Sequence, residues 1–255
     1  VDALQEGQPT FHFNTFSINN PFLSNQARTV LQQSLAPGAT SFSAFRFNID
    51  FGGRGEKHKR EIYRVVTGVN GTFNDDWNYE VAFNYGRLDT FYKTEGNIIS
   101  QKFANARNAV RDAQGNIVCA INLDASAAND DPGCVPVNLF GFGAPSQAAL
   151  DYFGYTSTRE QNAEQYQVTG YVSGDLSQLF ELPGGPIGFA IGGEYRKETA
   201  YAAYDEVTRS GATFLNAIPI FDPADLEVYE AYGEVRVPIL ADMPFARELT
   251  LEGAF

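Results

Sequence analysis

Apolar and polar residues alternate with a period of two along much of this chain, which predicts β-strands. In 43–51 the odd positions are Phe45, Phe47, Ile49 and Phe51, against Ala44, Arg46, Asn48 and Asp50. In 62–73, Tyr63, Val65, Val69 and Phe73 oppose Arg64, Asn70 and Thr72. Tyr79, Val81, Phe83 and Tyr85 share a face against Asn78, Glu80 and Asn84. Further runs begin at Gln165, Ile187 and Val228, and a last one carries Leu249, Leu251 and Phe255. The pattern predicts about seven strands, several near the roughly 9–11 residues that a tilted strand needs to cross a bilayer.

The predicted connections alternate in length. Asn74-Asp75-Asp76, the Pro/Gly segment 181–186 and Asp242-Met243-Pro244 read as tight turns. The links 52–61, 96–164 and 205–227 are longer. Short turns on one side and long loops on the other are the habit of transmembrane barrels. Tyr63, Tyr85, Tyr195 and Tyr229 fall toward the long-loop side; Phe73, Trp77, Tyr79 and Phe189 fall toward the short-turn side. That placement predicts two interfacial girdles. Two helical turns are expected within the loops, one capped by Ser24 and stopped by Pro37-Gly38, one capped by Ser146 and ended by Gly154. Residues 102–112 are also read as helical, within a loop too long to lack structure of its own.

Composition narrows the choice. The chain has 255 residues, 31 Asp and Glu against 18 Lys and Arg, and a formal net charge of -13. An acidic surface repels phosphate backbones, which argues against nucleic acid as a partner. Mean hydropathy is -0.25, and no run of about 18 apolar residues predicts a membrane helix. The 21 Phe, 13 Tyr and 24 Gly suit strands and turns. Val1 begins the chain with no leader-like segment after it, read as a chain that starts partway through a larger protein or has lost its leader.

The segment Ala109-Val110-Arg111-Asp112, Gly115-Asn116-Ile117-Val118-Cys119 and Gly133-Cys134-Val135-Pro136-Val137-Asn138-Leu139-Phe140-Gly141 resembles an external loop of TonB-dependent outer-membrane receptors of the sphingomonad and alphaproteobacterial type. So do Asn20-Pro21-Phe22-Leu23, Phe45-Arg46-Phe47 leading to Gly52-Gly53-Arg54, Tyr63-Arg64-Val65-Val66-Thr67-Gly68, Gly192-Gly193-Glu194-Tyr195-Arg196 and Tyr232-Gly233-Glu234-Val235. The resemblance covers nearly the whole chain. It implies an all-β fold: an antiparallel transmembrane β-barrel segment, about seven strands of a barrel of about 22. The layout it implies is an external loop over 1–42, strands with a hairpin over 43–96, a long external loop over 97–163, a strand hairpin over 164–204, an external loop over 205–227 and strands over 228–255. The plug domain and TonB box of that family are absent from the sequence. The implied function is energised uptake of a siderophore, cobalamin-like compound or oligosaccharide at the outer membrane of a Gram-negative cell. Its implied partners are outer-membrane lipid, the small-molecule or oligosaccharide ligand, and the TonB complex through a plug outside this chain. No cofactor is implied.

Individual residues carry weaker signals. Cys119 and Cys134 are expected to pair in an oxidising compartment; a free thiol or a metal pair are the alternatives, and His12 and His58 lie away from ligand spacing. Arg46, Arg64, Glu80, Glu194, Arg196, Glu230, Glu234, Arg236 and Glu252 are expected to face a lumen, as ligand contacts or as pairs between strands. Phe140, Phe142, Tyr152, Phe153 and Tyr155 are the ligand-binding candidates, by stacking on a sugar or aromatic chelator, or else they form the loop's own core. The basic stretch 52–60 reads as a hairpin tip, either a site for anionic groups or a solvated tip that discourages edge pairing. Asn70-Gly71-Thr72 matches a glycosylation sequon at a strand end and is discounted. No HExxH, GxSxG or nucleophile pattern points to catalysis, and no catalytic or metal-binding residue is assigned. Two other readings stand beside the receptor: a passive porin-like barrel, and a soluble secreted all-β carbohydrate-binding module or hydrolase.

Overall fold

The structure, a computed structural model, describes residues 2–5, 9–214 and 217–255. The strands are β1 (Asp2–Gln5), β2 (Phe11–Ser17), β3 (Ser41–Phe47), β4 (Glu56–Phe73), β5 (Trp77–Ile98), β6 (Ala109–Arg111), β7 (Ile117–Cys119), β8 (Gly154–Asp175), β9 (Gly188–Tyr204), β10 (Leu226–Met243) and β11 (Ala246–Ala254). Between them lie α1 (Asn25–Ser34), α2 (Ser100–Arg107), α3 (Gln147–Phe153) and α4 (Glu206–Arg209). Each of the seven runs of alternation contains a strand, although the first, over 43–51, leaves the strand after Phe47 and ends in a 3-10 turn, Ile49–Phe51; four short strands lie outside the runs. Residues 102–112 divide at Asn108, where α2 ends and β6 begins.

The closed barrel is not found. Seven strands run in the order β1-β4-β5-β8-β9-β10-β11, a linear sheet with β1 and β11 as its edges. β2 and β3 form a separate two-stranded sheet, and β6 and β7 another. With four α-helices and three unclosed sheets, the described residues form a mixed α and β fold, which corrects the all-β transmembrane barrel. No described helix is long and apolar enough to cross a membrane. Among the described residues no closed wall encloses a lumen. The expectations built on one therefore fall with it: the receptor resemblance, energised uptake, the passive porin, the Gram-negative outer membrane, lipid, and the TonB complex.

The chain divides into two compact units. The first comprises 1–60, 90–160 and 203–220. Its core is Phe16, Ile98, Phe103, Ala106, Val137, Leu139, Ala149 and Phe153, with Phe42, Ala44, Phe51 and Phe140 packed on it. Both expected caps organise helices here. Ser24 Oγ accepts from Ala27 N at 3.1 Å, and Ser146 Oγ accepts from Ala149 N at 3.2 Å. Parity misleads at β3. The odd phenylalanines Phe45 and Phe47 are exposed, whereas Phe42 and Ala44 pack on the core and the Arg46 side chain is largely buried. Opposite them, β2 exposes Phe11 and Phe13 and buries Asn14 and Phe16, in a register that sets Phe11 against Phe47 and Phe13 against Phe45.

Cys119 and Cys134 form a disulfide, Cα atoms 6.2 Å apart, across a separation of 15 residues. The loop it closes also holds itself. Asn122 Nδ2 donates to Asp131 O at 2.9 Å, and Asp131 N donates to Asn122 Oδ1 at 2.8 Å.

The second unit comprises 61–89, 161–202 and 221–255. Asn74 and Asp75 both adopt positive φ, the backbone that a tight hairpin turn demands. The aromatic rows do pack: Phe73 on Trp77 at 5.4 Å, Trp77 on Phe189 at 4.8 Å, Tyr85 on Tyr166 at 4.9 Å and Tyr195 on Tyr229 at 4.9 Å. Tyr232 lies opposite Gly192, and a Cβ there would come within 2.3 Å of the ring, so only glycine fits beneath it. Several of the charged residues expected to face a lumen, or to pair between strands, bond between or along strands. Arg64 Nε donates to Asn84 Oδ1 at 3.0 Å. Arg196 lies 3.7 Å from Glu194 and 3.4 Å from Glu198, and Arg236 lies 3.3 Å from Glu248 and 3.5 Å from Glu252. Glu230 stands opposite Glu194, Glu234 opposite Ala190 and Ala254, and Glu80 lies on β5. Much of the apolar parity face, including Val65, Val69, Val81, Ile191 and Leu251, is exposed.

A disulfide across this spacing removes chain entropy from the unfolded state. Replacing Cys119 and Cys134 together by serine is expected to lower the unfolding free energy by about 3 kcal/mol. Urea denaturation of the variant against the parent checks this; an unchanged midpoint would mean that the Asn122–Asp131 bonds suffice.

Candidate functional site

In the first unit a cleft of about 550 Å³ is lined by Asp50, Phe51, Asn97, Gln147, Asp151, Phe153 and Tyr155, among others. Three pieces of chain meet there. A 3-10 turn, Ile49–Phe51, supplies Asp50 and Phe51 and stops at Gly52, whose φ is +84°. The end of β5 brings Gly96, Asn97 and Ile98. The run from α3 into β8 brings the rest. Gly154 N donates to Leu150 O to end the helix, and a Cβ at Gly154 would lie 2.6 Å from that oxygen. Glycine therefore permits the abrupt change from helix to strand.

Arg46 fixes one wall. Its guanidinium donates to Leu139 O at 3.2 Å, Asn48 Oδ1 at 3.0 Å, Asp50 Oδ2 at 2.7 Å and Gly141 O at 3.2 Å. Asp50 Oδ2 also accepts from Gly143 N at 2.9 Å. Burial would raise the Asp50 pKa, but the Arg46 hydrogen bond, the Gly143 N–H and the nearby positive charge outweigh it and hold the carboxyl below its ordinary value. Asp50 is thus ionised at neutral pH and acts purely as an acceptor. Its side chain is 5% exposed. Its other oxygen, Oδ1, is buried and has no hydrogen-bond partner.

A hydrogen-bonded chain fixes the other wall. Tyr155 donates to Asp205 Oδ1 at 2.7 Å. Asp205 also accepts from Thr158 N at 2.8 Å, Thr208 N at 2.9 Å and Thr208 Oγ1 at 2.9 Å. Thr208 Oγ1 lies 2.9 Å from Ser157 Oγ, which accepts from Asn97 Nδ2 at 2.9 Å. Burial, then the bond to Asp205 and its charge, push the Tyr155 phenol up to about 12, so it stays a donor at neutral pH. For Asp205, burial would raise the pKa, but the Tyr155, Thr158 and Thr208 donors outweigh it and hold the carboxyl low. Gln147 Nε2 donates to Asp151 Oδ1 at 2.7 Å on the exposed side of α3.

Of the five ligand candidates, the cleft unites Phe153 and Tyr155. Phe153 is 1% exposed and serves as core; Tyr155 presents its ring while its hydroxyl is engaged. Phe140 packs on Phe16 at 4.9 Å between ring centroids. Tyr152 donates to Asp131 Oδ2 at 2.7 Å, and Lys102 Nζ lies 5.2 Å from its ring centroid. Phe142 is 79% exposed and lines none of this cleft. Asp50, Phe51, Gln147 and Asp151 carried no sequence signal as a site. Alternation split Asp50 and Phe51 between two faces of one strand, and Gln147 and Asp151 read as ordinary helix surface. No group of three or more His, Cys, Asp or Glu able to hold a metal occurs among the described residues.

No protein-family model, curated protein or solved structure matches this chain. The resemblance to TonB-dependent receptors thus lacks support from families as well as from the fold.

Because the folded Asp205 pKa lies below its unfolded value, its stabilisation is full above the ordinary carboxylate pKa and is lost as pH falls through the folded value. Asp205→Asn keeps the shape but weakens the acceptor. It is expected to cost about 1–2 kcal/mol at pH 7 and to flatten the acid side of a plot of Tm against pH. A variant with the parent's acid profile would remove Asp205 from this role.

Proposed function

We propose that this chain is a saccharide-binding module whose ligand occupies the Asp50 cleft. The observation that carries the reading is the cleft itself, where the ionised carboxylate of Asp50 stands among ring and amide side chains. Beside it, Phe51 and Tyr155 offer ring surface for the apolar faces of a sugar, and Gln147 and Asp151 offer further polar groups at the rim. A concave site with ring surface and a few convergent polar groups is the usual form of a small-molecule pocket. The Arg46 and Asp205 networks hold both walls before the ligand arrives, which limits the ordering cost of binding. The disulfide fits an oxidising compartment, where extracellular saccharides are met. The role is binding without catalysis.

Calorimetric titration with neutral oligosaccharides checks this. Binding is expected, and Asp50→Asn should weaken it several-fold by loosening the wall that Arg46 holds. Asp151→Ala, on an exposed helix face, should weaken it several-fold with Tm unchanged. The reading fails if no neutral saccharide binds at millimolar concentration, or if Asp151→Ala folds normally and binds as the parent does.

A further inference from the structure

A second cleft in the first unit, about 580 Å³, is lined by Phe16, Gln101, Asn105, Arg107, Asp124 and Asn129 among others. Its polar lining is neutral amide and hydroxyl groups, apart from Arg107 and Asp124. Asp124 is already engaged: it accepts from Ser126 N at 2.8 Å and from Asn129 Nδ2 at 3.0 Å. Arg107 differs. It is half-buried at the end of α2, and its Nη1 donates to Asn14 Oδ1 at 2.9 Å, a neutral and fully buried partner. No described carboxylate pairs with it. Arg46, Lys57 and Arg87, among others, are in ion pairs, whereas Arg107 is half-buried, lines the cleft and forms no ion pair with a described carboxylate. The guanidinium stays protonated, and burial opposes that charge.

The surroundings register the uncompensated charge. His12 is lowered to about 4, first by burial and then by the positive charge of Arg107. At neutral pH it is uncharged, and its Nδ1 lies 2.9 Å from Asn48 Nδ2. Neither neighbour neutralises Arg107. The last turn of α2 offers a partial negative charge, but that effect is small beside a full counter-ion.

We propose that this cleft binds a small ligand through a carboxylate group, which the free N–H groups of Arg107 hold while Gln101, Asn105 and Asn129 bond its remaining polar atoms. A planar carboxylate matches the guanidinium fork, and the amides can donate or accept as the ligand requires. The inference does not depend on the saccharide reading of the Asp50 cleft, because the two clefts share no lining residue.

The test is calorimetric titration of the whole chain with D-glucuronate, citrate and acetate, and with D-glucose as the neutral control. At least one carboxylate is expected to bind ten or more times more tightly than glucose. Arg107→Gln should abolish that preference and Arg107→Lys should weaken binding about tenfold, since lysine lacks the fork. Should Arg107→Gln fail to fold, Gln101→Ala with Asn129→Ala, both near the surface, should still weaken binding several-fold. The proposal is overturned if no carboxylate binds better than glucose, or if the Gln101 and Asn129 variant folds and binds as the parent does.

Discussion

The bond between Arg46 and Asp50 is the constraint on which the first unit turns. One guanidinium gathers the carbonyls of Leu139 and Gly141, the amide of Asn48 and the carboxylate of Asp50, and so ties the segment after the disulfide to the end of β3. Its geometry also has a chemical consequence. Arg46 and Gly143 N both bond Oδ2, leaving Oδ1 buried and unpartnered. The interaction that orders the loop thereby fixes the carboxylate that borders the cleft.

Asp205 plays the matching part on the other side. Four donors converge on it, from Tyr155, Thr158 and Thr208, and the chain of bonds continues to Ser157 and Asn97. Most of these groups are buried and neutral, and each is satisfied by another, so they fix the wall without using their polarity on a ligand. The contrast with Asp50 and Arg107 separates structure from site. Asp205 is a saturated carboxylate; Asp50 keeps one oxygen without a partner among the described residues, and Arg107 forms no ion pair among them.

The core lies where the alternation did not point. It is built from Ile98, Phe103, Val137, Leu139 and Phe153, in strand ends, helices and loop, while Val65, Val69, Val81 and Ile191 in the long strands are exposed. β3 shows the reason on a small scale. Its odd phenylalanines and its even Phe42, Ala44 and Arg46 are both plausible inner faces, and burial follows the side that Arg46 reaches to bond the loop. A two-stranded sheet has two faces, and a pattern of alternation marks them as different without saying which one a distant segment will cover.

The sequence by itself determined the local matters: seven of the strands, the Ser24 and Ser146 caps, the turn at Asn74-Asp75, and two cysteines placed to pair. Each depends on residues close together in the chain, through backbone periodicity, a side-chain oxygen three residues from an N–H, or the tolerance of Asn and Asp for positive φ. Only the tertiary structure decided that the sheet stays open, that helices and small sheets make the fold mixed, and that Asp50 and Tyr155 border one cleft. Those outcomes rest on contacts such as Arg46 with Leu139 and Tyr155 with Asp205, separated by 93 and 50 residues. No local pattern records them, because such a bond depends on where two remote segments are brought together and leaves no mark on the residues beside either end.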